Sequence, residues 1–225
     1  IRHKAQDCWS SRDEGDDMSV ITISRELGSE GDRIADYLCE RLGYCRVDKA
    51  MLLHIAEEAG IDVNALLEME RQLSHKARLF SDDMTSLYRK QPSAFEKRGV
   101  VDEQTYVRVL KDAMERYAAS GEAVIVGRGA QMILRDWPTA LHVHLYAPLD
   151  VRVRRLAAQL SITEQDAQAR IEVSDEQKRQ YIRHMHQNAD WRSPKYYHLL
   201  INTGRISAET AADIIVLAAK DKAGA

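Results

Sequence analysis

Five short apolar runs, separated by stretches with helical periodicity, constrain the fold more than any other feature of this sequence. They are "SVITIS" (19–24), "YCRV" (44–47), "AVIVG" (123–127), "ALHVHLYA" (140–147) and "HLLINT" (198–203). "AVIVG" is apolar throughout, the pattern of a strand covered on both faces. Between them lie "DRIADYLCERL" (32–42), stopped by Gly43, "KAMLLHIAEEAG" (49–60), and a helix opening at Asp62 that stays helix-prone to about Tyr88. After a loop over 89–99, Asp102 caps "EQTYVRVLKDAMERYAAS", which Gly121 closes. "RGAQMILRD" reads as a short helix and "LDVRVRRLAAQLS" as a basic one. Thr163 caps a long polar helix, and Ser207 caps "SAETAADIIVLAAK" (207–220). Strands alternating with helices predict a parallel sheet covered on both faces, with ligands at the carboxyl ends of its strands.

The chain has 225 residues, 44% of them hydrophobic, which suits one domain with a mobile subdomain. A formal charge of -3 and a pI near 6.3 argue against a nucleic-acid or membrane surface. No apolar run approaches the roughly 20 residues of a membrane span. Cys8, Cys39 and Cys45 form neither a C-x-x-C pair nor an even set, and read as reduced thiols of a cytoplasmic protein. Residues 1–18 read as a flexible leader or the end of an upstream segment, with Met18 as a natural start.

The carboxyl end of the first run carries "ISRELGSEGDRIA" (23–35). Strand, glycine-bearing turn and helix start are the setting of a phosphate loop, G-x-x-x-x-G-K-[ST]. On that frame Arg25 stands at the first glycine and Gly28 at a glycine-like turn. Gly31 stands where the lysine belongs, and Asp32 where a hydroxyl would meet magnesium. By pattern alone a phosphate site and an ordinary turn both remain open. "HVH" (142–144) and "HMH" (184–186) lack a third ligand at metal spacing, so no metal site is expected. Trp137 and Trp191 read as packing residues, and Asp48 as a helix cap or a substrate contact.

Beyond the loop, "VIVGRGAQMILRD", "LHVHLYAPLDVRVRRL", "SDEQKRQYIRHMHQNADW" and "YYHLLINTGRIS" follow in order. Together with "ITISRELGSEGDRIADYLCERLGYCRVDKAMLLHIAEEAG" they resemble the cytidylate kinase-like family, over about residues 19–220. That family is a branch of the nucleoside monophosphate kinases with a lysine-less loop. The resemblance implies an α/β, three-layer P-loop kinase-like fold: a five-stranded parallel sheet with helices on both faces and a helical lid. It implies one domain over 19–222, with an acceptor region at about 49–120 and a lid at about 152–190.

By the same resemblance Ser24, Arg25, Gly28, Ser29 and Gly31 form the phosphate loop. Asp48 and Lys49 grip an acceptor nucleotide, and Gly127 and Arg128 present an arginine to its phosphate. Arg152, Arg154 and Arg155 begin the lid, although a basic helix face is by itself usually just solvated. Asp175, Lys178, Arg179 and Arg183 return charge to the reacting phosphates, and Asn202 and Thr203 lie beside the adenine. The implied activity is ATP- and Mg2+-dependent phosphoryl transfer to a nucleoside monophosphate, a cytidylate-type acceptor being favoured. The alternatives are a nucleotide-binding regulatory protein without the chemistry, and a phosphotransferase for another small acceptor. Partners are small-molecule nucleotides rather than nucleic acid or membrane. The chain departs from the pattern at Val126 and Gly129, where true cytidylate kinases carry aspartates, at Glu30, and in the order Asp32-Arg33. Arg25 is expected to replace the missing lysine, Arg33 being worse placed inside the helix.

Overall fold

The computed structural model describes residues 19–49 and 102–223, with single positions between 51 and 69. Strands β1 (Val20–Arg25), β2 (Cys45–Val47), β3 (Ala123–Val126), β4 (Ala140–Tyr146) and β5 (Leu199–Asn202) form one parallel sheet in the order β2-β3-β1-β4-β5. The five apolar runs are thus the five strands, each trimmed or shifted by a residue or two. The order places β1 at the centre, between β3 and β4, and its carboxyl end opens into the 25–31 loop. Most of the helices expected over 49–60 and from Asp62, the loop over 89–99 and the leader lie outside the described residues. Asp62 Oδ1 does accept from the backbone N–H groups of Asn64 (2.8 Å) and Ala65 (3.3 Å), as a cap would.

Alternation along the strands sorts side chains onto two faces. Ile21, Ile23, Val124, Val143 and Leu145 point to one, where they pack against Ile34 and Leu38 of α1 (Gly31–Leu42) and Ala211 and Ile215 of α6 (Ala208–Ala223). Val20 and Ile125 point to the other, beneath Tyr106, Leu110 and Met114 of α2 (Glu103–Ser120) and the buried Trp191. Asp102 caps α2 by accepting from Thr105 N–H at 2.7 Å. Gly121 ends the helix at φ 76°. The helix expected from "RGAQMILRD" shrinks to α3 (Ala130–Ile133), because Gly127, Arg128 and Gly129 all hold positive φ and form a turn instead. Two helices, α4 (Leu149–Leu160) and α5 (Glu164–Met185), pack together through a small core of their own that joins Val153, Leu156 and Ala157 to Ala167 and Ile171. Cys45 is disulfide-bonded and Cys39 is not, which corrects the expectation of three reduced thiols.

The α2-side face of the sheet is polar at its centre. Thr22 Oγ1 and His142 Nδ1 are 2.8 Å apart, and His142 stacks on His198 at 5.0 Å between ring centroids. His144, paired in register with Ser24, lies 4.9 Å from the Tyr197 ring with the Trp191 edge at 5.3 Å. Burial pushes both strand histidines down to about 4, with nearby His198 and Lys178 charge acting the same way on His142 and His144 respectively. An unfolded imidazole titrates near about 6.5. Below that pH the unfolded chain takes up protons that the folded protein refuses, so stability is full above pH 6.5 and falls as pH drops toward 4. For His144 the loss reaches on the order of 2 kcal/mol by pH 4.5. His144→Gln should therefore flatten the fall in Tm between pH 6.5 and 4.5 by about 5 °C. Parallel Tm–pH curves for variant and parent would refute this.

Candidate active site

The carboxyl end of β1 opens into a cleft of about 780 Å3. Its floor is the 25–31 loop and its walls are α4 and α5. Arg25, Gly28, Glu30, Gly31, Arg33, Arg155, Arg170 and Lys178 line it. Helix α1 begins in this cleft without a side-chain cap at Glu30. The first N–H groups of a helix have no partner within it and carry the positive end of the helix dipole. An uncapped N-terminus at the carboxyl end of a central strand suits an anion.

Local geometry explains the glycines. Gly28 sits at φ +84°, and a Cβ there would lie 2.8 Å from the Arg152 backbone oxygen. Replacing Gly28 would therefore disturb the packing of α4 as well as the loop. At Gly31 a Cβ would meet Arg25 Cβ and Cγ at 2.5 Å, and at Gly127 it would meet Arg25 Nη1 at 2.5 Å. The Arg25 side chain thus lies across the helix start, over the position the lysine would take, and ends above the Gly127 turn. Its Nη2 is 3.6 Å from Asp32 Oδ1. Burial is the main influence lowering its pKa, opposed by Asp32 and assisted by Arg46 and Arg128.

Beneath the cleft lies an ionic network. Arg152 Nε is 3.3 Å from Glu26 Oε2, and its Nη1 is 2.9 Å from Asp175 Oδ2. Arg192 bridges the same carboxylates, reaching Glu26 Oε1 at 2.9 Å and Asp175 Oδ2 at 2.8 Å. The network ties the loop (Glu26) to both α4 and α5. At the rim Arg155 ties α4 to the loop and to the turn after β5: its Nη2 is 2.9 Å from Glu30 Oε2 and donates to Thr203 O at 2.8 Å.

The structure brings Arg25, Gly28, Gly31, Arg155 and Lys178 into one cleft. Ser24 is buried in β1 and Ser29 below the loop, where its hydroxyl donates to Glu26 O at 2.8 Å. Arg152 and Asp175 belong to the network under the floor. Thr203, buried, donates to Ser29 O at 3.0 Å, and Asn202 Oδ1 accepts from Gly204 N–H at 3.0 Å, so both order the turn after β5. Arg128, at φ 57°, donates to the Tyr106 hydroxyl at 3.1 Å beyond the Gly127 turn. Asp48 accepts from Met51 N–H at 3.4 Å and lies 3.4 Å from Arg46 Nε, the geometry of a cap. Lys49 is exposed. Arg154 pairs with Asp150 on the outer face of α4, and Arg179 pairs with Glu176 on α5; Arg183 is exposed.

Sequence reasoning missed Arg170 and Ser174, which line the cleft with Lys178. Their spacing of four residues places all three on one face of α5, a signal that was present. It also missed Glu26 and Arg192, which no spacing connects. Among the described residues no cluster of three His, Cys, Asp or Glu side chains suits a metal, and no helix is long and apolar enough to cross a membrane.

The model of the cytidylate kinase-like family matches residues 20–205. A search of curated proteins finds no match. Among solved structures, an uncharacterized protein from Eubacterium ventriosum is similar over 89% of this chain and 98% of its own, at 20% identity and a TM-score of 0.64. A shikimate kinase from Bacteroides thetaiotaomicron covers the same shares at 13% identity and a TM-score of 0.48. The first likeness supports the fold; the second is too distant to support more.

Proposed function

The chain belongs to the cytidylate kinase-like family, and we propose that it transfers a phosphoryl group from a nucleoside triphosphate such as ATP to a small acceptor, a nucleoside monophosphate of cytidylate type being favoured. The observation that carries this reading is the cleft itself: an uncapped helix N-terminus faced by arginines and a lysine from the loop and from both lid helices. A bound triphosphate would rest on the N–H groups that open α1, under Arg155 and Arg170. The acceptor would lie beyond Gly127, toward Arg128.

In the transfer, the bond from the γ-phosphorus to its bridging oxygen breaks as one forms from an acceptor phosphate oxygen, and the diphosphate leaves. That acceptor oxygen is already anionic, so no general base is needed. The protein's contribution is alignment and positive charge on the migrating group. Arg25, which spans from Gly31 to Gly127, is placed to touch that group; Arg152 instead positions the loop through Glu26. Mg2+ suits the donor set, since it binds through phosphates, water and one or two carboxylates, and Asp32 offers one at the second position of α1. When bound, the ion supplies charge neutralisation on the phosphates. The lid would exclude water, which otherwise takes the phosphoryl group.

A coupled assay of diphosphate release, with MgATP and a panel of monophosphates, tests this reading. Turnover that depends on one monophosphate is expected. Nucleotide binding without turnover on any acceptor would favour a regulatory protein, for which the paired carboxylates Glu30 and Asp32 in the cleft speak. Arg128→Ala is expected to raise the acceptor KM about tenfold or more, losing a charged hydrogen bond of about 1.5–3 kcal/mol, with the ATP KM nearly unchanged. Equal losses for both substrates would remove Arg128 from the acceptor side.

A further inference from the structure

Gly31 leaves the loop without an ammonium, and the Arg25 stem fills the space where one would begin. A lysine nevertheless reaches the same loop from elsewhere in the fold. Lys178 projects from α5, its Nζ donates to the backbone oxygen of Arg25 at the end of β1, and it lines the cleft. Its ammonium lies over the Trp191 ring at 4.6 Å from the centroid. Trp191 is 2% exposed and fixed in the core, so the lysine stem has one resting place rather than many. Ser174 and Arg170, one and two turns earlier, line the cleft on the same face.

From this placement we propose that Lys178 supplies to the donor polyphosphate the ammonium that the loop itself lacks. The inference rests on the phosphotransferase reading and deepens it. An ammonium has three N–H donors, and the Arg25 carbonyl uses one. Among the described residues no carboxylate forms an ion pair with Lys178, whereas Arg152, Arg155 and Arg192 all have such partners. The charged groups facing Lys178 are Arg25 and Arg192 on one side of the balance, and Asp175 and Glu26 on the other. Burial and the neighbouring arginine charge outweigh Asp175 and Glu26 and hold it down to about 8. The ionic network keeps α5 against the loop through Asp175, three residues before Lys178. In this arrangement the lid helix contributes to donor binding as well as closure, and Arg25 is left to serve the migrating phosphoryl group nearer the acceptor.

The test compares Lys178→Met with the parent chain in binding of MgATP, MgADP, AMP and inorganic triphosphate, by titration calorimetry. Lys178→Met should weaken MgATP and triphosphate at least about tenfold while AMP changes less than about threefold. Lys178→Cys, which keeps a small side chain should the methionine variant fail to fold, should show the same loss. Treatment with 2-bromoethylamine then restores an ammonium on a stem of the same length, and affinity should return to within about threefold of a parent sample treated alike. Loss without recovery, or equal losses for MgATP and AMP, would assign Lys178 a structural role and overturn the inference. Unchanged triphosphate affinity would overturn it while leaving the phosphotransferase reading in place. A parent chain that binds neither ATP nor triphosphate would overturn both.

Discussion

Arg152→Met is expected to destabilise the protein by about 3–5 kcal/mol, the usual effect of removing one partner from a buried ionic network. For a chain of this size that is a fall in Tm of about 6–20 °C. The Arg152 side chain is only 7% exposed, and those of Glu26 and Asp175 are 8% and 16% exposed. Without the guanidinium, two largely buried carboxylates would share only Arg192, whose side chain is 47% exposed and screened by water. Their charges would then be poorly compensated in a medium that solvates them weakly. The loss should therefore depend on the carboxylates, which separates it from a packing defect. Adding Glu26→Gln and Asp175→Asn to Arg152→Met should recover at least half of the stability, because a neutral network leaves no orphaned charge. A triple variant no more stable than Arg152→Met would show that packing dominates. The Gly28 turn rests on the Arg152 backbone, so nucleotide affinity should fall with stability in the single variant and recover with it.

This network also shows what the sequence could and could not disclose. Strand positions follow from apolar runs, and caps follow from Asp102 and Thr163, whose side chains accept from N–H groups three residues on. Such signals are local, and local physics determines them. The loop's location was legible for the same reason, since a strand, a turn and an uncapped helix are contiguous in the chain. The other members of this network are not contiguous with Glu26: Arg152, Asp175 and Arg192 come from three later segments that only the folded sheet and its helices bring together. The helical face Arg170–Ser174–Lys178 is an intermediate case. Its periodicity is local, but its direction depends on how α5 packs through Ala167 and Ile171. Asp48 is ambiguous in sequence, and here its carboxylate binds Met51 N–H and Arg46, which gives the capping reading its contacts.

Arg25→Ala is expected to lower kcat/KM on the order of 10³-fold, the effect of losing an arginine that neutralises a migrating phosphoryl group. Its guanidinium ends above Gly127, within the influence of Arg128, so it spans the gap between the donor loop and the acceptor side. Arg33 provides the internal comparison. Its guanidinium is engaged at the surface by Glu30 (3.1 Å), Glu209 (2.6 Å) and the Tyr37 hydroxyl (3.0 Å). Exposed pairs of that kind contribute only about 0–1 kcal/mol, so Arg33→Ala should stay within about fivefold of the parent. Arg25→Lys should not restore the rate, because an ammonium on a straight stem cannot hold two phosphate oxygens in one plane. Gly31→Ala offers an independent route to the same point. Its Cβ would enter the space of Arg25 Cβ and Cγ and displace the arginine, while alanine suits a helix start. If Arg25 acts from this position, Gly31→Ala should lower kcat/KM by at least tenfold on its own and add little to Arg25→Ala, since both remove one interaction. Additive losses would mean that Gly31 matters for the helix start alone. Near-parental turnover in Arg25→Ala, with both proteins folded by circular dichroism, would show that Arg25 does not act on the migrating phosphoryl group.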